Sequence, residues 1–234
     1  MSAKYFSHYS FALFESVQKG TAVSTSYRVK YILLFALVNL GAYFLIQNYV
    51  IHEYDFLMDI DKSIPFIPEY IWVYHSMMPV IAATMFFTVR SKRLFMTTII
   101  SCILASVIIN ACYALFPSFY PRPEFIPLTL SERLVDLSYN LDSSCNTFPS
   151  GHVAFAFLMY LAIRYCRQAK KMPVLKRVYL LWAIGIAFST LTLKFHYVID
   201  VVGGFAVAMA CFYVTKHFIE KKNLYESEES NSEA

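Results

Sequence analysis

The side chains of this chain best placed to do chemistry are His196 and Asp200. A separation of four residues puts both on one face of a helix. From there the carboxylate can orient the imidazole and stabilise its charged form, which is the support that a nucleophilic or basic histidine requires. We therefore expect a reactive histidine at position 196, although a simple helix contact is the alternative.

A second histidine follows a short motif, Pro149-Ser150-Gly151-His152, that leads into an apolar segment. Ser150 is suited to the N-cap of a helix, and Gly151 lets a ligand approach the backbone. Free N–H groups and the helix dipole make such a terminus an anion site, with His152 beside the anion on the first turn. The alternative is a capping serine with an interfacial histidine that contacts only water.

Arg122 stands between Pro121 and Pro123. The prolines stiffen the backbone, and a guanidinium held in this way can bind two phosphate oxygens with paired hydrogen bonds. Such a tripeptide in a loop is also compatible with an ordinary turn.

Five cysteines are scattered along the chain without the spacing of metal ligands, and we interpret them as packing residues. Cys112 and Cys145 fall towards the same side and could pair.

The elements that position these residues are membrane helices. The chain of 234 residues is 58% hydrophobic and only 15% charged, with a mean hydropathy of +0.48, which excludes disordered and disulfide-stapled classes and disfavours a water-soluble fold. Runs near the length of a membrane span predict an all-α bundle of six transmembrane helices. They lie at about 31–51, 70–89, 94–117, 152–166, 178–193 and 196–219, the fourth and fifth being short.

The distribution of charge predicts the orientation of these spans. The segment 1–30, the turn 90–93, the connection 164–177 and the C-terminal tail hold 16 of the 20 basic residues. The positive-inside rule makes that side, and both termini, cytoplasmic. Loops 52–69 and 118–150 hold nine acidic residues and face the periplasm, lumen or exterior. Residues 220–234 are acidic and polar, which predicts a disordered cytoplasmic tail.

Lys194 and Asp200 are the charges left beside the turn between the last two spans. Ionisable groups near a membrane interior are costly and are usually functional. The turn is therefore a candidate site, although Lys194 alone could be a lysine that snorkels from a helix end.

Together these motifs resemble the type-2 phosphatidic acid phosphatase superfamily, integral-membrane lipid phosphatases and phosphotransferases. The family pattern is Lys, six residues, Arg-Pro; then Pro-Ser-Gly-His; then Ser-Arg, five residues, His, three residues, Asp. The resemblance covers residues 94–219 of a membrane domain at 31–219, and two positions depart from the pattern. The matches are Arg122-Pro123, Pro149-Ser150-Gly151-His152, Ser189, His196 and Asp200, and the departures are Leu115 for the Lys and Thr190 for the Arg.

The resemblance implies roles for these residues. His196 is then the nucleophile that takes the phosphoryl group, Asp200 orients it, and His152 is the general acid for the leaving alcohol. The phosphate charge is neutralised by Arg122, Lys194 and the amides of Ser150 and Gly151. No metal and no cofactor are implied.

The partners implied are a phospholipid or lipid-phosphate substrate and the bilayer, with no nucleic acid. We expect a lipid phosphate phosphatase that acts on a phosphomonoester or pyrophosphate headgroup at the outer membrane face. One alternative is a phosphotransferase, since the looser motifs are similar to those of the sphingomyelin-synthase and inositol-phosphorylceramide-synthase branch. Another is a lipid transporter or scaffold without turnover.

Overall fold

A computed structural model describes residues 23–49, 54–166, 169 and 172–232. The described part is helical; it contains no strand, and two isolated β-bridges join its loops. Most of the predicted N-terminal segment 1–30 lies outside the described residues. The helices are α1 Thr25–Tyr49, α2 Asp59–Ser63, α3 Ile71–His75, α4 Met77–Ala83, α5 Lys92–Leu115, α6 Leu130–Leu141, α7 Gly151–Tyr165, α8 Pro173–Thr192 and α9 Val198–Ser232.

Among the described residues, five helical stretches are long and apolar enough to cross a membrane. The second of them joins a 3₁₀ turn at Pro68–Tyr70, α3, α4 and a π-helical turn at Thr84–Thr88 into one rod. The remaining predicted span, the fourth, is α7, which has 15 residues and is short for a hydrocarbon core of about 30 Å. The fifth predicted span gains flanking residues in the structure, because α8 begins at Pro173 and has 20 residues. The stretches are Thr25–Asn48, Pro68–Thr88, Lys92–Leu115, Pro173–Thr192 and Val198–Lys221.

Short α7 lies at the centre of the bundle, where it packs against α5, α8 and α9. Its buried face alternates bulky residues such as Leu158 and Met159 with Ala154, Ala156 and Ala162. In a membrane, the hydrophobic effect does not drive helices together. Small residues stabilise the packing there, because they let helix backbones approach closely. The helix that carries His152 is therefore held on three sides.

Two glycines of α9 bring it against the residues that precede α7. A Cβ added at Gly204 would lie 2.4 Å from the carbonyl oxygen of Ser150, and one at Gly203 would lie 2.9 Å from the ring of Phe148. A side chain at either position would therefore push the two helices apart. This contact joins the segments that carry His152 and Asp200. We call the end of the bundle where these segments meet the histidine end.

The loops at the histidine end contain a helix that the sequence analysis did not identify. The helix α6 begins with a capping box, in which Thr129 and Glu132 each bind the other's backbone N–H. The spacing Thr129-x-x-Glu132 was the available signal. In addition, Tyr54 bridges to Ser118, and Phe119 bridges to Cys145, so both long loops are tied together.

The last helix continues to Ser232, through a stretch whose composition predicts disorder. Extending an existing helix adds one hydrogen bond per residue without a new nucleation step, so a polar sequence can continue it. The domain boundary at residue 220 stays a prediction.

Candidate active site

The N-terminus of α7 is built as the motif predicts. Ser150 is the N-cap, and its hydroxyl accepts a hydrogen bond from the N–H of Val153. The backbone N–H of Ser150, however, donates to the carbonyl of Asp200 at 2.9 Å. That amide, predicted as a phosphate donor, instead joins α7 to α9, because the glycines of α9 allow the two backbones to meet. The amide of Gly151 remains at the first helical position.

His196 and Asp200 make the predicted contact in a different way. The Nδ1 of His196 lies 3.4 Å from the Oδ2 of Asp200, and both residues are buried. Yet α9 begins at Val198, so His196 lies before the helix rather than on its face. Asp200 reaches back from the first turn and also accepts the N–H of Tyr197 at 2.8 Å. The expectation that both residues share a helix face was therefore wrong, although the pair forms.

The two histidines face each other across the histidine end. Their ring centroids lie 5.9 Å apart, with the planes tilted by 60°. The ring of Tyr74, from α3, stacks on His152 at 4.4 Å and on Phe195 at 4.7 Å. Since Phe195 precedes His196, one tyrosine contacts the segments of both histidines. Sequence reasoning missed Tyr74, because nothing in its own segment marks it.

Arg122 lies at the same end, but its guanidinium is largely occupied by the protein. Nη1 donates to the carbonyl oxygens of Tyr139 and Asp142, and Nη2 donates to that of Ser143. These carbonyls lie at the C-terminal end of α6, where backbone acceptors need partners and a cation is favoured. The Nη donors that the sequence analysis assigned to phosphate oxygens are therefore bonded to backbone carbonyls in this structure. Among the described residues, the buried Nε of Arg122 has no hydrogen-bond partner.

Stacking connects Arg122 to the histidines. Its guanidinium carbon lies 5.2 Å from the centroid of the Phe195 ring, and Phe195 stacks on Tyr74, which stacks on His152. The structure thus brings Arg122, His152 and His196 to one place from three segments of the chain.

Lys194 points its ammonium group at the loop 54–69. Its Nζ donates to the carbonyl oxygens of Asp61 at 3.3 Å and Ile64 at 2.5 Å. Burial lowers the pKa of the Lys194 ammonium, and the Asp61 carboxylate partly opposes that change. The carbonyls occupy donors that the sequence analysis assigned to phosphate, so Lys194 acts first as a tie between the loop and the turn before α9.

Asp61 is a buried carboxylate that the sequence analysis counted only as an outer-loop charge. Its Oδ1 accepts the N–H of Val198 at 2.8 Å, and its Oδ2 accepts the N–H of Met58 at 2.9 Å. Nearby, the hydroxyl of Tyr197 donates to Asp55 at 2.6 Å. The loop 54–69 thus holds the residues that follow His196. No local pattern could reveal contacts between residues about 140 positions apart.

A second carboxyl, Asp142, lies beside the same cluster and was also missed. It accepts a hydrogen bond from the hydroxyl of Tyr43 in α1. Burial raises the pKa of the Asp142 carboxyl, and the Tyr43 hydrogen bond and the Arg122 cation partly oppose that rise. The histidine end therefore carries the Asp142 carboxyl as well as the Arg122 cation.

The two departures from the family pattern have different environments. Leu115 ends α5 with an exposed side chain. Thr190 is buried in α8, where its hydroxyl donates to the carbonyl of Ala187. The carbonyl of Thr190 accepts the N–H groups of Phe195 and His196, so this position fixes the turn without supplying a charge.

In the described ranges, no group of three or more His, Cys, Asp or Glu side chains is suited to hold a metal ion. The five cysteines, all among the described residues, form no disulfide, and Cys112 is not paired with Cys145. An apolar cavity of about 210 Å³ lies between α1, α4, α5 and α7, where Phe155 and Met159 of α7 line it.

Comparison with known proteins gives three matches. The family model described as "PAP2 superfamily" matches residues 94–224. Phosphatidylglycerophosphatase B of Bacillus subtilis (strain 168) is 34% identical over 107 residues, which are 43% of this chain and 46% of that protein. The chain thus matches about half the length of this curated relative. A crystal structure of Aquifex aeolicus LpxE has a TM-score of 0.46 at 17% identity, covering 79% of this chain and 93% of that one.

Proposed function

Because the chain belongs to the PAP2 superfamily, we propose that it is a membrane lipid phosphate phosphatase. It hydrolyses a phosphomonoester or pyrophosphate headgroup through a phosphohistidine intermediate. The observation that carries this proposal is the pair of imidazoles 5.9 Å apart, of which only His196 is seen to contact a carboxylate within the described structure. A phosphatase is also the activity in the name of the curated relative.

The spacing of the histidines suits a phosphoryl group between them. Reacting atoms need to approach to about 3–3.5 Å, so a phosphorus atom can lie near His196 while the leaving oxygen lies near His152. Asp200 holds Nδ1 of His196, which leaves Nε2 as the attacking atom.

In the first step, Nε2 of His196 forms a bond to phosphorus as the bond from phosphorus to the leaving oxygen breaks. Protonated His152 gives its proton to that oxygen, and the alcohol or phosphate departs. In the second step, His152 takes a proton from water, whose oxygen attacks phosphorus. The bond from His196 to phosphorus breaks, and inorganic phosphate leaves.

Positive groups around this point stabilise the charge that develops on the phosphoryl oxygens. Arg122 contributes its charge and the Nε–H that no described residue accepts. The amide of Gly151 and the dipole of α7 act from the other side. Lys194 contributes charge from the neighbouring turn, where two carbonyls hold its ammonium.

We place the histidine end at the outer membrane face, with both termini in the cytoplasm. Support comes from the charge distribution and from six apolar helical stretches, if short α7 is counted with the five longer ones. The substrate is a lipid of the outer leaflet, which reaches the site laterally from the bilayer.

Rapid-quench labelling with a radiolabelled activated phosphate ester tests the roles of the histidines. The His196→Ala variant should lose turnover and the phosphoenzyme. The His152→Ala variant should still become labelled slowly, because a good leaving group needs no acid. Labelled His196→Ala protein, or wild-type turnover by it, would contradict the assignment.

The same labelling experiment with and without a lipid alcohol separates the two enzymatic hypotheses. A phosphatase resolves the intermediate with water, whereas a phosphotransferase accumulates it until an acceptor arrives. A native chain that binds lipid phosphate but shows neither label nor turnover would be the transporter or scaffold.

Chelation tests the absence of a metal requirement. Because side chains and amides supply the positive charge in this proposal, activity should survive EDTA. Loss of activity that Mg²⁺ restores would show that a divalent ion does this work.

A further inference from the structure

The helix α6 carries a leucine stripe, defined as Leu130, Leu134, Leu137 and Leu141. Spacings of four, three and four residues put these side chains on one face of a helix. Leu130, Leu137 and Leu141 are 64%, 52% and 75% exposed. If this helix were surrounded by water, the exposure of a row of leucine side chains to water would cost free energy.

Other side chains of α6 hold it against the bundle. Val135 and Ser138 are buried, and the Ser138 hydroxyl forms a 3.0 Å hydrogen bond with His75 of α3. The hydroxyl of Tyr139 donates to the carbonyl of Leu193 at 2.6 Å. These contacts fix the rotation of the helix. Leu134 is therefore half-buried against the cluster that contains Val135, while the other three leucines of the stripe are exposed.

The position of α6 indicates what covers the stripe. Trp72, near the start of the stretch Pro68–Thr88, donates its indole N–H to Ser131 at 3.1 Å. Its ring is 53% exposed, and tryptophan is typical of the membrane–water boundary. This bond places α6 at the end of a membrane span.

The segment that leads into α6 continues the apolar surface. Ile126 is 80% exposed and Leu128 is 76% exposed. Acidic Glu132 and Asp136 lie on the helix faces away from the leucine stripe, by the same helical geometry. An apolar face beside a polar one is the pattern of a helix that lies in the plane of a membrane interface.

We propose that α6 is an interfacial helix whose leucine stripe inserts into the outer leaflet, at the boundary between headgroups and acyl chains. The helix lies directly beside the site, because Arg122 binds its last carbonyls and Val135 packs in one cluster with Tyr74 and Phe195. The helix α6 therefore anchors the protein in the leaflet next to the place where a lipid headgroup meets the histidines. This part of the inference, the presentation of substrate, rests on the proposed function.

Spin labels test the insertion without any need for activity. Cysteine replaces Leu137 or, as the matched control, Asp136, in a Cys112→Ser, Cys145→Ser background that removes the half-buried thiols. The labelled chains are reconstituted in vesicles of phosphatidylethanolamine and phosphatidylglycerol. The label at 137 should be relaxed by oxygen, which partitions into lipid, and the label at 136 by a water-soluble nickel complex.

Two outcomes of the labelling would overturn the proposal. Equal nickel access at both positions would show that the leucine stripe faces water. Protection of position 137 from both oxygen and nickel would show that protein covers it, such as a second copy of the chain.

Kinetics test the presentation of substrate. Replacing Leu130, Leu137 and Leu141 with Ser should lower kcat/KM for a long-chain lipid phosphate in vesicles by on the order of tenfold, because apolar burial is lost. Turnover of a short-chain, water-soluble lipid phosphate should be unchanged. An Asp136→Ser, Asn140→Ser variant serves as the control.

An equal loss on both substrates would contradict the presentation role. If the native chain turns over neither substrate, the proposed function fails while the spin-label result still decides whether α6 inserts.

Discussion

The buried carboxylate of Asp61 accepts the backbone N–H of Val198 at 2.8 Å. This bond joins the loop 54–69 to the helix that begins two residues after His196. The N–H of a first helical residue has no partner within the helix, so a residue 137 positions earlier supplies one. The nucleophile proposed here is thus positioned by the loop as well as by Asp200 of the helix that follows it.

Replacing Asp61 should therefore impair chemistry more than lipid binding. We expect Asp61→Ala to lower kcat by about 10²-fold, because a small displacement of a reacting group costs that much. Asp61→Asn keeps an oxygen for Val198 and should retain more activity. Steady-state kinetics of both variants in detergent make the comparison.

The matched control for Asp61 is Asp59→Ala. Asp59 lies in the same short helix with an exposed side chain, where it pairs with Lys62. A similar loss in both variants would mean that the loop acts only through general folding.

Gly204 is expected to tolerate no side chain. A Cβ there would lie 2.4 Å from the carbonyl oxygen of Ser150, so Gly204→Ala must push α9 from the start of α7. We expect a loss of about 1–3 kcal/mol of stability, as for other overpacked positions, with reduced activity. Thermal unfolding in detergent measures it.

Gly41 provides the comparison for Gly204. It lies in α1 with nothing within 4 Å of an added Cβ, so Gly41→Ala should be neutral or stabilising by up to about 1 kcal/mol. Equal destabilisation at both glycines would show that steric contact is not the cause.

The Asp142 carboxyl should make stability depend on pH. Its raised pKa means that the folded state favours the protonated form. That contribution is complete below the pKa of an unfolded aspartate, about 3.9, and is lost as the pH rises through the higher folded value. The Asp142→Asn variant should therefore gain in Tm relative to the native chain from about pH 4 to pH 7.

Tyr43→Phe tests the cause of this dependence. The Tyr43 hydroxyl bonds the carboxylate and lowers its pKa, so its removal should move the pH range of the change upward. A Tm difference between native chain and Asp142→Asn that is flat with pH would contradict the role of burial.

The orientation of the bundle can be tested by cysteine labelling in intact cells. A thiol introduced at Glu69 should react with an impermeant reagent from outside, and one at Arg177 should not, because the charge distribution puts 52–69 outside and 164–177 inside. Labelling of the native chain is subtracted. Outside labelling at position 177 would reverse the proposed face of the site.

What the sequence determined here is local. The apolar runs indicate the helical stretches, because membrane length and helix geometry fix how many apolar residues a span needs. The Ser150 cap, the His196–Asp200 contact and the family membership also follow from residues within a few positions of one another. Even the missed helix α6 had a local signal, its capping box and leucine spacing.

The tertiary structure decided the partners of the polar groups. Arg122 and Lys194 carry the charges that a phosphate site needs, yet most of their observed bonds go to backbone carbonyls of other segments. Tyr74 and Asp61 join the site from elements with no motif of their own. Hydrogen-bond donors and aromatic faces are satisfied by whatever the packing of distant helices brings within about 3–5 Å, and that packing depends on the whole bundle rather than on any one segment.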